Sequence, residues 1–218
     1  MTVLELTGQW RRGNLIPARR AIDIRAADPD TALVERAKEG DRAAFEELVR
    51  RHQKPIYGVV SRMLFSRDEV DDLVSEAFVQ AYANLGKFRG EASFGTWIHR
   101  IAVNLSLKRI KKLGRVKASS FEEMQETAGD LPDEGVDLRP AELVERSEVD
   151  RLVREAVAVL PAKHQAVVAL HYFQDMSCEQ IAVVLDVSVG TVWSRLHYAM
   201  KKLRPMLETL APEYEDGP

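Results

Sequence analysis

The sequence has few of the features that mark secreted, membrane-bound or disulfide-linked proteins. It contains one cysteine in 218 residues, Cys178, which excludes an intramolecular disulfide and fits a reducing cytoplasm. No apolar run approaches the ~18 residues of a membrane span, and the N-terminus lacks the apolar core of a signal peptide. We therefore expect a cytoplasmic protein without a membrane span, in which Cys178 is a small buried residue rather than a redox sensor.

Side chains able to support catalysis or metal binding are not grouped along the chain. His164 and His171 share a helix face at seven-residue spacing, but no second cysteine or clustered carboxylate completes a zinc site. The other histidines are scattered, at positions 52, 99 and 197. No glycine-rich loop of the phosphate-binding kind is present. We expect neither an enzyme nor a bound metal or other cofactor.

Charge is unevenly distributed, although the net charge is only −3. Residues 95–117 contain seven bases and no acid, residues 118–150 contain eleven acids and two bases, and residues 187–204 contain four bases and no acid. Two basic blocks separated by an acidic one suggest two surfaces that face a polyanion. The alternative is two solvated helix faces and a disordered acidic connector.

Residues 29–114 have the apolar spacing of a small helical bundle. Segments with a 3.6-residue period each follow a residue able to cap a helix: Asp30, Asp41, Ser66 or Ser93. We expect about four helices, with a kink at Pro55, a capping box formed by Ser66 and Glu69, and the end of the fourth helix at Gly114. Residues 1–28 show no period and are predicted to be a flexible arm.

Residues 115–139 have no apolar period and hold most of the acids, so we predict a flexible linker there. Helical signals resume at 140 and continue to 210, with Pro161 expected at the first position of a helix and residues 211–218 as a tail. The sequence therefore predicts an all-α protein with two small helical domains, joined by a flexible acidic linker.

The segment SCEQIAVVLDVSVGTVWSRLHYAMKKL (177–203) has the pattern of a helix-turn-helix. Ser177 and Gln180 form a capping box, a turn follows at Asp186, and Ser188 caps a second helix. Side chains expected on the exposed face of that helix can reach bases and phosphates in a major groove; they are Thr191, Ser194, Arg195, His197, Tyr198 and Lys201. The alternative is a plain helical hairpin within a bundle.

The segment SFGTWIHRIAVNLSLKRIKK (93–112) joins aromatic rings to unbalanced positive charge. Bases neutralise phosphates, whereas rings stack on unpaired nucleobases at roughly 1–3 kcal/mol per base. The Asn104 amide, two helical turns beyond Trp97, can read the edge of an extruded base. We expect single-stranded DNA to contact Phe88, Phe94, Trp97, Arg100, Asn104, Lys108 and Arg109. The alternative is that Phe94 and Trp97 pack in the core.

Three segments, VDDLVSEAFVQAYANL, KFRGEASFGTWIHRIAVN and GTVWSRLHYAMKKLR, closely resemble the extracytoplasmic-function (ECF) sigma factors of bacterial RNA polymerase, a group of the sigma-70 family. The resemblance covers residues 30–114 and 140–207, in the order and spacing of that family. It implies a protein that binds core RNA polymerase and directs promoter-specific transcription initiation, with region 2 at 29–114 and region 4 at 140–210.

The same resemblance implies roles for particular residues. The helix at 68–85 would bind the largest catalytic subunit of the polymerase through Asp71, Asp72, Glu76 and Gln80. The −10 promoter element would be read as a single strand by residues 88–94 and the following helix, with Phe88 and Asn104 lining a pocket for a flipped base. The −35 element would be read as duplex through residues 188–201, which adds Ser188, Gly190 and Trp193 to the DNA-binding set. The acidic linker would thread a polymerase channel, and an anti-sigma factor would mask these surfaces.

Two positions depart from the family pattern. The family tends to carry Lys or Arg where this chain has Trp193, and often a base where it has Tyr198. Loss of two cations should weaken −35 binding or change its sequence preference, and Trp193 can instead contact a thymine methyl group or a partner protein. A linker as long as 115–139 reaches at most ~85–90 Å when extended, so two separate DNA elements are within reach.

Two other functions remain open from the sequence. A stand-alone helix-turn-helix regulator that binds a palindrome as a dimer explains residues 177–203 but not the aromatic and basic segment at 93–112. A helical scaffold that binds only proteins predicts no salt-dependent affinity for DNA, whereas phosphate contacts require it.

Overall fold

The computed structural model describes residues 28–64, 66–123 and 151–210, and within these ranges every regular element is a helix. The predicted arm at 1–28, apart from Asp28, lies outside the described residues, as do the tail at 211–218 and the linker beyond residue 123. The all-α prediction is confirmed for the described part of the chain. None of the helices described is long and apolar enough to cross a membrane.

Four helices form the N-terminal half: α1 (Thr31–Lys38), α2 (Arg42–Val60), α3 (Arg67–Asn84) and α4 (Phe94–Glu123), with a 3₁₀ turn, Leu85–Lys87, after α3. Asp41 caps α2 by accepting the Ala44 N–H, and Ser66 caps α3 by accepting the Glu69 N–H. Helix α2 continues through Pro55. These caps confirm two of the predicted helix starts.

The C-terminal half begins with a helix whose described part is 151–158, called α5 here. It continues with α6 (Ala162–Val168), extended by a π-helical turn (Ala169–Phe173), then α7 (Cys178–Leu185) and α8 (Val189–Leu210). Ser177 and Gln180 form the predicted capping box of α7. Asp186 ends α7 in the left-handed region at φ 54°, which turns the chain into α8.

Three local expectations are corrected by the structure. Asp30 precedes α1 but makes no side-chain cap, because its carboxylate is directed to α2 instead. Helix α4 does not end at Gly114 but runs on to Glu123, into the predicted linker. Pro161 is the capping residue of α6 rather than its first helical residue.

The described residues form two hydrophobic cores. One belongs to the N-terminal half, and the other is centred in the C-terminal half but includes residues from both halves. Leu48, Ile56, Leu73 and Phe94 are at the centre of the N-terminal core. The C-terminal core is built from α5 to α8, but Val59, Met63 and Val103 of the N-terminal half are buried in it as well. The two helical units therefore pack against each other.

Polar contacts add to this packing between the halves. The Arg100 guanidinium lies 3.4 Å from the Asp186 carboxylate, which belongs to the turn before α8. At Gly58 on α2 a Cβ atom would come within 3.0 Å of the Gln174 side-chain nitrogen, so the absence of a side chain there permits close approach.

Candidate nucleic-acid interface

Two half-buried rings, Phe88 and Trp97, form what we call the aromatic platform at the start of α4. Their ring centroids are 4.9 Å apart and the planes are tilted by 38°. Phe94 supports both rings, with centroid distances of 6.2 Å to Phe88 and 5.8 Å to Trp97. Phe94 itself is 0% exposed. The expectation that Phe94 stacks on a base is therefore wrong for this arrangement, because its faces are covered by core atoms.

Arg100, Asn104 and Lys108 lie at successive four-residue intervals along α4, and all three are exposed. We call this row the polar stripe. Its first member, Arg100, is three residues after Trp97, and residues three or four apart share a helix face, so the stripe continues along the face that starts at Trp97. Arg109, predicted to bind DNA with them, is turned to the neighbouring helix, where its Nη1 donates to Glu69 Oε1 at 3.2 Å. That contact explains why Glu69 does not complete the predicted capping box.

His99 is a buried histidine in the first turns of α4, 4% exposed. One ring nitrogen, Nδ1, lies 2.6 Å from the Gly95 carbonyl oxygen and donates to it. The pKa of His99 is lowered to about 4, chiefly because the ring is buried; the hydrogen bond to the Gly95 carbonyl opposes this shift and the nearby His52 adds to it. At neutral pH His99 is uncharged, so it adds no positive charge to this face of the protein.

Helix α3 presents an acidic and apolar surface. Asp71, Asp72 and Glu76 are exposed, and the half-buried Gln80 donates to Glu76 at 3.1 Å. Val79 is 68% exposed in the same helix. A surface with several acids and exposed apolar groups repels phosphate and suits contact with a protein.

Helix α8 starts with a hydrogen-bonded cap, since Ser188 Oγ accepts the Thr191 N–H at 3.2 Å. Its buried face includes Val192, Leu196, Ala199 and Leu203, which recur every three or four residues; Val189, which the same spacing places on that face, is half-buried. The nine residues predicted to contact duplex DNA are exposed or half-buried: Ser188, Gly190, Thr191, Trp193, Ser194, Arg195, His197, Tyr198 and Lys201. The helix therefore presents its polar face to solvent at its N-terminal end.

The two residues that depart from the family pattern have large exposed rings. Trp193 is 42% exposed and Tyr198 is 41% exposed. The Tyr198 ring packs on His164 of α6, with centroids 4.5 Å apart. Burial, together with the nearby Arg195 guanidinium, lowers the pKa of His164. The contact with His164 was not predicted, because residues 34 positions apart in the sequence carry no local signal of contact.

Within the described residues no group of three or more His, Cys, Asp or Glu side chains could hold a metal ion. Cys178 is buried, as predicted, and burial raises the pKa of its thiol. The neutral thiol is therefore the dominant form at pH 7, which does not favour a redox role.

The helix-turn-helix formed by α7 and α8, together with the polar stripe of α4, is typical of a DNA-binding protein. Residues 48–116 match the family model Sigma-70 region 2, and residues 150–203 match Sigma-70, region 4. The chain is 35% identical over 185 residues to the ECF RNA polymerase sigma-E factor of Haemophilus influenzae, an alignment that covers 83% of this chain and 96% of that protein. It therefore belongs to the ECF group of the sigma-70 family.

Two further proteins support this assignment. The chain is 33% identical over 189 residues to the RNA polymerase sigma-H factor of Pseudomonas aeruginosa, covering 85% of this chain and 97% of that protein. Among solved structures, CnrH in complex with the cytosolic domain of CnrY matches with a TM-score of 0.61 at 26% identity, covering 83% of this chain and 97% of that chain. The sequence-based resemblance is confirmed at the level of the family.

Proposed function

We propose that this chain is a promoter-specificity subunit: it binds core RNA polymerase, reads a −35 element as duplex through α8, and holds a melted −10 element through the platform and stripe. The observation that carries the proposal is the presence on one chain of two accessible surfaces of different chemistry, one with rings and an amide on α4 and one with polar side chains on α8. Rings and an amide suit unpaired bases, whereas a capped helix with polar side chains suits a major groove. Catalysis is supplied by the polymerase.

Capture of a single strand is supported by the position of Asn104 relative to the platform. Phe88 and Trp97 are half-buried, so each ring keeps an accessible part, and Asn104 is exposed seven residues beyond Trp97. A base that leaves the duplex can stack on a ring while the amide bonds to its Watson–Crick edge. Arg100 and Lys108 flank Asn104 and supply positive charge for the strand backbone. An intact duplex offers no exposed base face, so the rings favour the melted form.

Duplex reading is supported by the N-terminal turn of α8. On this part of the helix Thr191 and Arg195 are half-buried, while Ser194 and Tyr198 are exposed. The helix N-terminus also attracts phosphate through its free N–H groups. Trp193 and Tyr198 lack the positive charge typical of the family at these positions, so we expect fewer phosphate contacts and a contribution from ring contact with thymine methyl groups.

Polymerase binding is assigned to the acidic surface of α3. Its carboxylates at 71, 72 and 76, together with the exposed Val79, form a mixed surface of the kind that binds proteins. We propose that this surface docks on the largest catalytic subunit. The polar stripe lies on a different helix, α4, so DNA and polymerase need not compete for the same side chains.

The packing of the two halves has a consequence for this proposal. Elements centred near −35 and −10 are about 25 base pairs apart, roughly 85 Å at 3.4 Å per base pair. Arg100 of the stripe and Asp186, two residues before the cap of α8, are in contact. Both elements cannot be bound in that arrangement, so we propose that the halves separate when the chain binds polymerase and promoter.

A protein that holds the halves together would act as an inhibitor. The related CnrH was solved in complex with the cytosolic domain of CnrY. We propose that an anti-sigma factor binds this chain in its closed arrangement and covers the α3 surface or the stripe.

The proposal is tested by run-off transcription with core polymerase on fragmented genomic DNA, followed by sequencing of the transcripts to find a promoter. On that promoter, Asn104→Ala and Arg195→Ala should each reduce transcription at least tenfold. Gln53→Ala and Arg42→Ala are matched controls, since both side chains are exposed and belong to α2, a helix with none of the residues assigned to these surfaces. Full activity of both test variants would contradict the site assignment. A footprint on duplex DNA without polymerase would instead favour the stand-alone regulator.

A further inference from the structure

Asp30 is a buried acid just before α1, 4% exposed. Its carboxylate accepts a hydrogen bond from Arg51 Nη1 at 2.8 Å and another from His52 Nε2 at 2.6 Å. A buried carboxylate requires such partners, because an unpaired charge out of water is strongly unfavourable. These bonds attach the beginning of the described chain to α2 and hold the His52 ring in one orientation.

Asp28 makes a second connection, to the start of α4. Its Oδ2 accepts the Phe94 N–H at 2.6 Å, although the two residues are 66 positions apart, and its Oδ1 accepts the Asp30 N–H at 3.1 Å. The first N–H groups of a helix have no partner within the helix. Ser93 Oγ accepts one of them, the Thr96 N–H, at 3.1 Å. Helix α4 therefore has one cap from its own sequence and one from a distant segment.

The His52 ring completes the connection to the aromatic platform. It packs on Phe94 with ring centroids 5.3 Å apart, and its Cε1 lies 3.2 Å from the position of a Cβ at Gly95. Phe94 in turn contacts both platform rings. Asp28 and His52 are therefore connected through Phe94 to Phe88 and Trp97.

We propose that Asp28, Asp30 and His52 are positioning residues for strand capture: they hold Phe94 and the first turn of α4 so that the platform meets an unpaired base in the correct geometry. The inference rests on the proposed function, because it assigns these residues to the same strand-binding site. Stacking and edge recognition both depend on placement within about 0.5 Å, and residues that lock a site indirectly control its affinity. None of the three residues needs to touch DNA.

The test uses the full-length chain assembled with core polymerase and two probes from the promoter found by run-off sequencing. One probe is the single-stranded non-template oligonucleotide that spans the −10 element, and the other is a duplex fragment that holds only the −35 element. In Asp28→Asn, one of two acceptor oxygens becomes a donor, so the bonds to Phe94 and Asp30 cannot both form. We expect about tenfold weaker binding of the strand and less than twofold change for the duplex.

A second variant perturbs the same connection from the opposite direction. Gly95→Ala places a Cβ against His52, whereas Gly86→Ala, its control, meets no atom within 4 Å. Gly95→Ala should weaken strand binding severalfold and Gly86→Ala should not. If Asp28→Asn does not fold, Gly95→Ala decides the matter.

Two results would overturn the inference. One is unchanged binding of the single-stranded probe by Asp28→Asn, or by Gly95→Ala if Asp28→Asn does not fold. The other is an equal loss of affinity for the single-stranded and duplex probes, which indicates a general loss of stability. Failure of the proposed function is recognised separately, because the wild-type holoenzyme would then fail to bind the single-stranded probe.

Discussion

The guanidinium of Arg62 lies over the ring of Phe173, with its Cζ atom 3.7 Å from the ring centroid. Arg62 follows α2 in the N-terminal half, and Phe173 ends the π-helical turn in the C-terminal half. A cation above a ring contributes about 0.5–2 kcal/mol, depending on how far it is desolvated. This contact joins the two halves, together with the buried Val59, Met63 and Val103.

Phe173→Ala should increase the equilibrium ratio of chains with separated halves to chains with packed halves by about tenfold, because it removes the ring below Arg62 and part of the shared core. Small-angle X-ray scattering would detect this shift as a larger radius of gyration. Asp186→Asn is the control: its ion pair with Arg100 is largely exposed, and such pairs contribute only about 0–1 kcal/mol. A radius unchanged in Phe173→Ala would show that the ring does not hold the halves together.

Acid should destabilise the protein through His99. Its folded-state pKa is about 4, below the ordinary value of 6.5, so between these pH values the unfolded chain binds a proton that the folded chain does not. The free energy of unfolding should therefore fall as pH decreases from about 6.5 to about 4, by roughly 1.4 kcal/mol per pH unit at most. Urea unfolding at several pH values measures this slope.

Replacement of His99 by Asn should reduce that pH dependence, because Asn retains a donor for the Gly95 carbonyl but does not titrate. The matched control is His197→Asn, since His197 is exposed on α8. An identical slope in His99→Asn and wild type would show that His99 does not cause the effect.

Trp193→Arg should increase the affinity of the holoenzyme for −35 duplex and steepen its salt dependence. One added phosphate contact increases the slope of log K against log salt by about 1. Binding measured between ~50 and ~200 mM salt would show the change. Val159→Arg adds the same charge at an exposed position outside α8, and its slope should match wild type. Equal slopes in all three proteins would mean that Trp193 does not face DNA.

Cys178 should react slowly with iodoacetamide in the native protein. The thiol is buried and its pKa is raised by burial, so both access and the thiolate fraction are low. We expect alkylation to be at least ten times faster in ~6 M urea than in the native protein. Mass spectrometry of the intact chain measures both rates. The measurement is simple because the sequence has no other cysteine. Equal rates would show that the turn before α7 opens readily.

Much of the helical structure could be predicted because its signals are local. Asp41, Ser66, Ser177 and Ser188 each accept a backbone N–H three residues ahead, which is a pattern visible in a few letters of sequence. The buried face of α8 likewise follows from apolar spacing alone. Asp30 is the exception, because a distant Arg and His compete successfully for its carboxylate.

The candidate site could be predicted only in part. The sequence places Phe88, Trp97 and Asn104 near one another, and the structure leaves them at least partly accessible. The sequence could not decide that Phe94 is covered or that Arg109 pairs with Glu69, since both outcomes depend on neighbouring helices. Whether a ring is core or surface is decided by what packs on it, and composition does not contain that information.

By itself the sequence determined the all-helical class, the helix-turn-helix, the separation of charge into blocks and the family, because capping, apolar period and motif spacing act over short stretches of chain. Only the tertiary structure decided that the two halves share a core, that Arg100 meets Asp186, and that Asp28 caps a helix beginning 66 residues later. Contacts of that kind depend on how the helices are arranged in space, and the order of residues along one helix does not specify them.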